Sequence, residues 1–193
     1  MPKSIRYRMV ILMPERLSAA AWTDKATEAL AKRGVAAVRI EPLARALGVT
    51  KGSFYWHFAD RRALLDAVLE EWERRATTQV IEAVEQACEA PDDRLRALVR
   101  LVFRHGAPLD RAVRAWASHD ESAAARVKRV DAQRYEYVRH LLEACGKARA
   151  TAAMRARLFY TALIGEQHTS LRLSRQRRVE WALQNLELIL RER

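Results

Sequence analysis

Residues 38–58 restrict the fold of this chain more than any other stretch. They read Val38-Arg39-Ile40-Glu41-Pro42-Leu43-Ala44-Arg45-Ala46-Leu47-Gly48-Val49-Thr50-Lys51-Gly52-Ser53-Phe54-Tyr55-Trp56-His57-Phe58. The apolar spacing describes two short helices, over 40–47 and 51–57, joined by a tight turn. Leu43, Ala44, Leu47, Val49, Phe54 and Phe58 supply their shared core, with Ala44 small where the helices cross. Gly48 takes a turn conformation that a side chain resists. Pro42 fits only in the first turn of its helix, where amides have no intrahelical partner. Thr50 stands where the second helix needs a cap.

That second helix presents a face ill suited to water: Lys51, Gly52, Ser53, Tyr55, Trp56 and His57. Against a DNA duplex the same residues make sense. The N-terminal end of a recognition helix reaches base edges, while later donors hold phosphates. Gly52 allows a close backbone approach, Ser53 can exchange hydrogen bonds with a base edge, and Lys51 reaches guanine acceptors. Tyr55, Trp56 and His57 offer donors to phosphate, and Arg61 adds another beside the amides of the following helix. Arg39, just ahead of the first helix, belongs to the same basic group. For Phe54 and Phe58 the plainer reading holds, that the rings pack the domain.

The run 34–65 as a whole, with Arg39-Ile40-Glu41-Pro42-Leu43-Ala44, Gly48 through Phe58 and Arg61-Arg62-Ala63-Leu64-Leu65 in register, resembles the DNA-binding domain of the TetR (tetracycline-repressor) family of transcriptional regulators. The resemblance covers about the first third of the chain. It implies that Thr50, Ser53 and Tyr55 sit on the recognition helix, that Trp56 and His57 lie near phosphate, and that Arg61 stands where the family often has a phosphate-binding lysine. It further implies a helical domain with an effector cavity, a dimer interface built by the last two helices, and repression of a palindromic double-stranded DNA operator.

Charge agrees with a basic N-terminal module. Of a net +11, residues 1–62 carry twelve Lys/Arg against five Asp/Glu, and the remainder 23 against 19. Six glycines and five prolines interrupt a chain in which half the residues are apolar. This composition predicts an all-α protein, and with the resemblance it implies about nine helices: an arm over 1–17, a three-helix helix-turn-helix domain over 18–64, and a helical effector-binding and dimerisation domain over 65–193. Lys3, Arg6 and Arg8 make the arm either an inert tail or a phosphate contact, and Met9 or Met13 are alternative starts. Ser18 caps a first helix that Gly34 stops, with Trp22, Ala26, Ala29 and Leu30 inward. Asp60 caps a long fourth helix reaching toward Cys88. Pro91, Pro108 after Gly106, Asp120 and Ser174 open later ones, and Gly146 closes the one begun at Asp120.

In the last helix Val179, Leu183, Leu186 and Leu190 form one apolar line, while Trp181 and Leu188 lie on another side. One neighbouring face cannot cover both, so a four-helix interface between two protomers is expected, with Gly165 easing a close crossing. The alternative is burial within one subunit. For a small-molecule effector the candidates are Phe103, Trp116, Asp120, Arg134, Tyr135, Tyr160 and His168. Arg134 lies on the apolar line Val127, Val130, Val138, Leu141, and needs a partner there. That partner is either Asp131, one turn earlier, or an anionic ligand. Trp116 and Asp120 form a pocket wall or, more plainly, a core tryptophan beside a helix cap. Tyr135, Tyr160, Phe103 and Met154 line a cavity or simply fill the core.

Other classes are less well served. No Gly-rich phosphate loop, serine elbow or metal motif occurs, and His105, His119, His140 and His168 lack ligand spacing, so neither an enzyme nor a cofactor or metal is expected. Cys88 and Cys145 read as buried thiols rather than a redox pair. No segment reaches the length of a membrane span, which points to a cytoplasmic protein without a membrane partner. Two relatives of the leading reading stay open: a DNA-binding regulator that senses nothing, and a non-specific packaging protein whose binding follows salt alone.

Overall fold

The computed structural model describes residues 18–104, 108–169 and 173–191; the arm over 1–17, and His105 and Gly106, lie outside them. Ten α-helical segments occur among the described residues: α1 (Ala19–Arg33), α2 (Ile40–Ala46), α3 (Lys51–Phe54), α4 (Arg61–Glu73), α5 (Gln79–Ala87), α6 (Pro91–Arg104), α7 (Pro108–Ala117), α8 (Glu121–Ala144), α9 (Arg149–His168) and α10 (Arg175–Leu190). A π-helical turn, Arg74–Thr78, fuses α4 and α5 into one rod. The described helices are therefore nine rods, and the fold is all-α as expected.

The ends of these helices follow from local chemistry. Ser18, Asp60, Asp120 and Ser174 each accept a hydrogen bond from the amide three residues on, satisfying donors that a helix start leaves open. Gly48 and Gly146 sit at φ +70° and +84°. After α2, the Gly48 amide donates to Arg45 O and the Val49 amide to Ala44 O; after α8, Gly146 and Lys147 repeat the pattern on Glu143 and Leu142. This pair of hydrogen bonds closes a helix and requires a left-handed residue. Thr50 departs from expectation. It occupies the cap position with extended backbone but its side chain makes no capping bond, and α3 ends at Phe54, giving way to a turn through His57.

Two apolar cores result. The first joins Trp22, Leu30, Leu43, Phe54, Leu64 and Trp72 to Val113 and Trp116 of α7 and Val130 of α8. The helix-turn-helix therefore shares its core with the helices behind it rather than standing apart. The second gathers Val84, Leu95, Phe103, Val138, Phe159 and Leu186 from α5, α6, α8, α9 and α10. A polar seam lies between them. On α8 it falls at Arg134, one turn from Val130 on one side and Val138 on the other; on the α4–α5 rod it falls at the π turn.

Candidate nucleic-acid interface

Phe54 anchors the recognition segment. Its ring is fully buried, meets Trp22 edge-on with centroids 5.2 Å apart, and stacks on Phe58 at 5.5 Å. The neighbouring residues are thereby turned outward. Tyr55 is 53% exposed and Trp56 82% exposed, while Lys51 and Gly52 are also exposed and Ser53 and His57 half-buried. Two large aromatic side chains thus stand exposed side by side, a costly arrangement in water.

Gly52 sharpens this point. Its φ is not positive, and a Cβ added there would meet only Thr50 Oγ1 at an ordinary 3.7 Å. Nothing inside the domain requires glycine, which weakens a helix relative to alanine.

Two basic residues are tied down. Lys51 Nζ lies 3.0 Å from Glu41 Oε1, and their hydrogen bond holds the Glu41 carboxyl below and the Lys51 ammonium above their usual values. The pair bridges the starts of α2 and α3. Arg61, read from sequence as a phosphate ligand, is bonded internally. Its Nε donates to Val38 O at 2.6 Å and its Nη2 to Val35 O at 2.8 Å. It fastens the 3-10 turn Val35–Ala37 to the first turn of α4. Arg39 is the exposed, extended residue preceding α2.

The residues read as effector contacts do not converge on one cavity. Phe103 is buried in the second core; Tyr135 is half-buried at the edge of that core, and the Tyr135 hydroxyl lies 3.4 Å from Ala153 O. Trp116 belongs to the first core. Asp120 caps α8 through the Ala123 amide at 2.9 Å and accepts from Arg62 Nη1 at 2.9 Å, which is the plainer of the two sequence readings. His168 is exposed at the end of α9, and Met154 is 58% exposed.

Arg134 and Tyr160 do meet, in the polar seam. Arg134 is ion-paired as expected, but to Asp110 at 3.0 Å, not to Asp131. Its Nε donates to Thr77 Oγ1 at 2.9 Å and its Nη2 to Ala76 O at 3.1 Å, both in the π turn. Asp131 is instead held by both Nη atoms of Arg114, at 2.6 and 3.0 Å, and by the Tyr160 hydroxyl at 2.8 Å. Asp110 also accepts from Trp72 Nε1 at 3.2 Å and Arg114 Nε at 2.8 Å. Burial alone would raise its pKa, yet the Arg134 and Arg114 charges hold the carboxyl below the usual range. Burial pushes the Tyr160 hydroxyl up to about 12. These seven side chains tie the α4–α5 rod to α7, α8 and α9.

At the far end, Leu186 is fully buried against the second core and is unavailable to a partner, contrary to its sequence assignment. Val179, Trp181, Leu183 and Leu190 are partly buried there. The exposed apolar side chains are Met154, Leu158 and Leu188, at 58%, 58% and 62%. Leu158 sits two helical turns before Gly165, where an added Cβ would meet nothing within 4 Å. Sequence reasoning misses Leu158 because it lies off the apolar line that the buried residues define.

No group of metal-ligating side chains occurs among the described residues, and no helix among them is long and apolar enough to cross a membrane.

Residues 23–68 match the family model described as bacterial regulatory proteins, tetR family. Over 47 residues the chain is 40% identical to the HTH-type transcriptional regulator TtgR of Pseudomonas putida, a match covering 24% of this chain and only 22% of that protein. The fold is similar to the crystal structure of SCO4454, a TetR-family transcriptional regulator from Streptomyces coelicolor, with a TM-score of 0.74, 20% identity, and 89% and 87% of the two chains covered. It is also similar to the reduced form of E. coli NemR, with a TM-score of 0.68, 17% identity, and 89% and 93% covered.

Proposed function

We propose that this chain, whose residues 23–68 match the tetR family model and whose fold is shared with TetR-family regulators, acts as a homodimeric repressor that reads a palindromic operator and is released by a small-molecule effector. One observation carries the DNA-binding half of this reading. A buried Phe54 leaves Lys51, Gly52, Tyr55 and Trp56 exposed on one short helix and the turn that follows it, and the fold itself does not need that helix's glycine. Two copies related by a two-fold axis place such helices in successive major grooves, about 34–36 Å apart. The exposed Met154, Leu158 and Leu188 with the open Gly165 supply the face on which two copies pack.

Ligand response is supported by the α4–α5 rod. It starts beside the recognition segment, and its middle is gripped by Arg134 and Asp110 from the helices behind. A ligand that repacks those helices draws on the free energy of operator binding through linkage.

Selection of bound sequences from random duplex DNA at fixed salt tests the proposal, with Ser53→Ala and Tyr55→Ala run beside the native chain. A palindrome whose enrichment is weakened or altered in the variants is the expected result. Salt-sensitive binding with no enriched sequence, unchanged in the variants, would leave only non-specific attraction to phosphate.

A further inference from the structure

A groove of about 500 Å³ lies between the end of α1, the 3-10 turn that follows it, and α7. One wall belongs to the DNA-binding end of the chain and the other to the helices behind it. Leu30, Val35, Ala112 and Trp116 give it an apolar floor. Its basic residues are Arg33, Arg111 and His119, and no carboxylate is among the described lining residues. The two acids adjacent in sequence to lining residues are engaged elsewhere, Asp110 by Trp72, Arg114 and Arg134, and Asp120 by the Ala123 amide and Arg62. Arg114 of α7 is neutralised by Asp110 and Asp131. Neither Arg33 nor Arg111 has a carboxylate partner among the described residues.

We propose that this groove binds an amphipathic organic anion: an aromatic or apolar body carrying one carboxylate or sulfonate. The apolar floor takes the body, and Arg33 and Arg111 at opposite walls take the head group. The volume suits a compact two- or three-ring molecule, and junctions between structural units are preferred sites for such ligands. The groove is distinct from the polar seam. Its occupant touches Val35, whose carbonyl is held by Arg61 at the start of α4. An anion wedged between Val35 and α7 therefore acts on the DNA-binding helices directly, without passing through Asp110 or Arg134. This regulatory consequence rests on the function proposed above; the binding itself does not.

The test uses 8-anilino-1-naphthalenesulfonate and its uncharged parent N-phenyl-1-naphthylamine, titrated by fluorescence into the full chain. The sulfonate is expected to saturate at one per protomer. Arg33→Glu/Arg111→Glu should weaken it by about tenfold or more while leaving the neutral parent little changed. Ala115→Trp, which fills the groove from an exposed position, should remove both. Arg149→Glu/Arg175→Glu makes the same change in net charge elsewhere and should retain sulfonate binding. Unsaturable binding overturns the proposal. So does affinity that survives Ala115→Trp, or that falls equally in the control pair. Operator selection is read separately. Groove binding as described with no operator found refutes the regulator and keeps the site; a palindrome without groove binding does the reverse.

Discussion

Arg134 Nη1 donates to Asp110 Oδ1 at 3.0 Å across 24 positions of sequence and two helices. The pair sits between two apolar cores, and each member has further partners: Trp72 and Arg114 for the acid, Thr77 and Ala76 for the base. The attraction is thus only part of what holds the seam, since every hydrogen bond to these buried groups also offsets the cost of taking them out of water.

Asp110→Ala leaves two arginines facing each other without their shared carboxylate. Removing one member of a buried pair costs about 3–5 kcal/mol, to be measured by urea unfolding of the full chain. Asp110→Leu/Arg134→Met should lose less than the two single changes added together. A loss below about 1 kcal/mol for Asp110→Ala, in the range of an exposed pair, would show that the seam is not an ionic structure.

Acid should dismantle the same seam. The Asp110 carboxyl is depressed below the ordinary value of 3.8, so the folded chain binds this proton less readily than the unfolded one. Its stabilisation is complete above 3.8 and is lost as pH falls through the depressed value. Thermal melts taken down to about pH 2 should show a stability loss that is shallower in Asp110→Asn. Equal slopes in the two proteins would assign the loss to other carboxylates.

Gly52→Ala should separate folding from binding by sign. No contact opposes the new Cβ, and alanine is the better helix former, so fold stability stays unchanged or rises by less than about 1 kcal/mol. Operator affinity should fall. Native affinity in this variant would remove the argument that an outside partner imposes the glycine.

Gly48→Ala behaves oppositely. At φ +70° an L side chain is strained however much room surrounds it, and the expected loss is about 1–2 kcal/mol. Operator binding should weaken only as far as the fold loosens, which thermal melts run beside binding titrations will reveal.

Two leucines of α10 should also part company. Leu188→Glu, on the 62%-exposed side chain, should yield folded monomers in sedimentation velocity. Leu186→Ala, at a fully buried position, should cost about 2–5 kcal/mol of stability without selectively dissociating the dimer. A Leu188→Glu protein that stays dimeric would place the interface elsewhere.

Much of this fold is legible in the chain itself. Ser18, Asp60, Gly34 and Gly48 announce their helices because capping and left-handed backbone are decided by neighbours in sequence, and Phe54 and Phe58 sort inward by spacing alone. Arg134 shows where such reading stops. Its place on an apolar line reveals that it needs a partner, but the choice between Asp131 and Asp110 depends on how α7 lies against α8, which no local pattern encodes. Leu186 fails for a related reason: an apolar stripe is visible, yet whether α6 or a second protomer covers it is a tertiary fact. The effector residues scatter because aromatic side chains at helical spacing look the same in a core and around a ligand.

The π turn does leave a trace. From Trp72 the next buried positions along the rod are Thr77 and Val84, five and then seven residues on. A regular α-helix turns about 100° per residue, so the wide turn resets the phase between the segments on either side of it. A single-residue deletion within 74–78 would convert the rod to a regular helix and rotate everything beyond it by about that angle. Val84 would then leave its core. In descendants of this chain the rod should tolerate substitution far better than any change in its length.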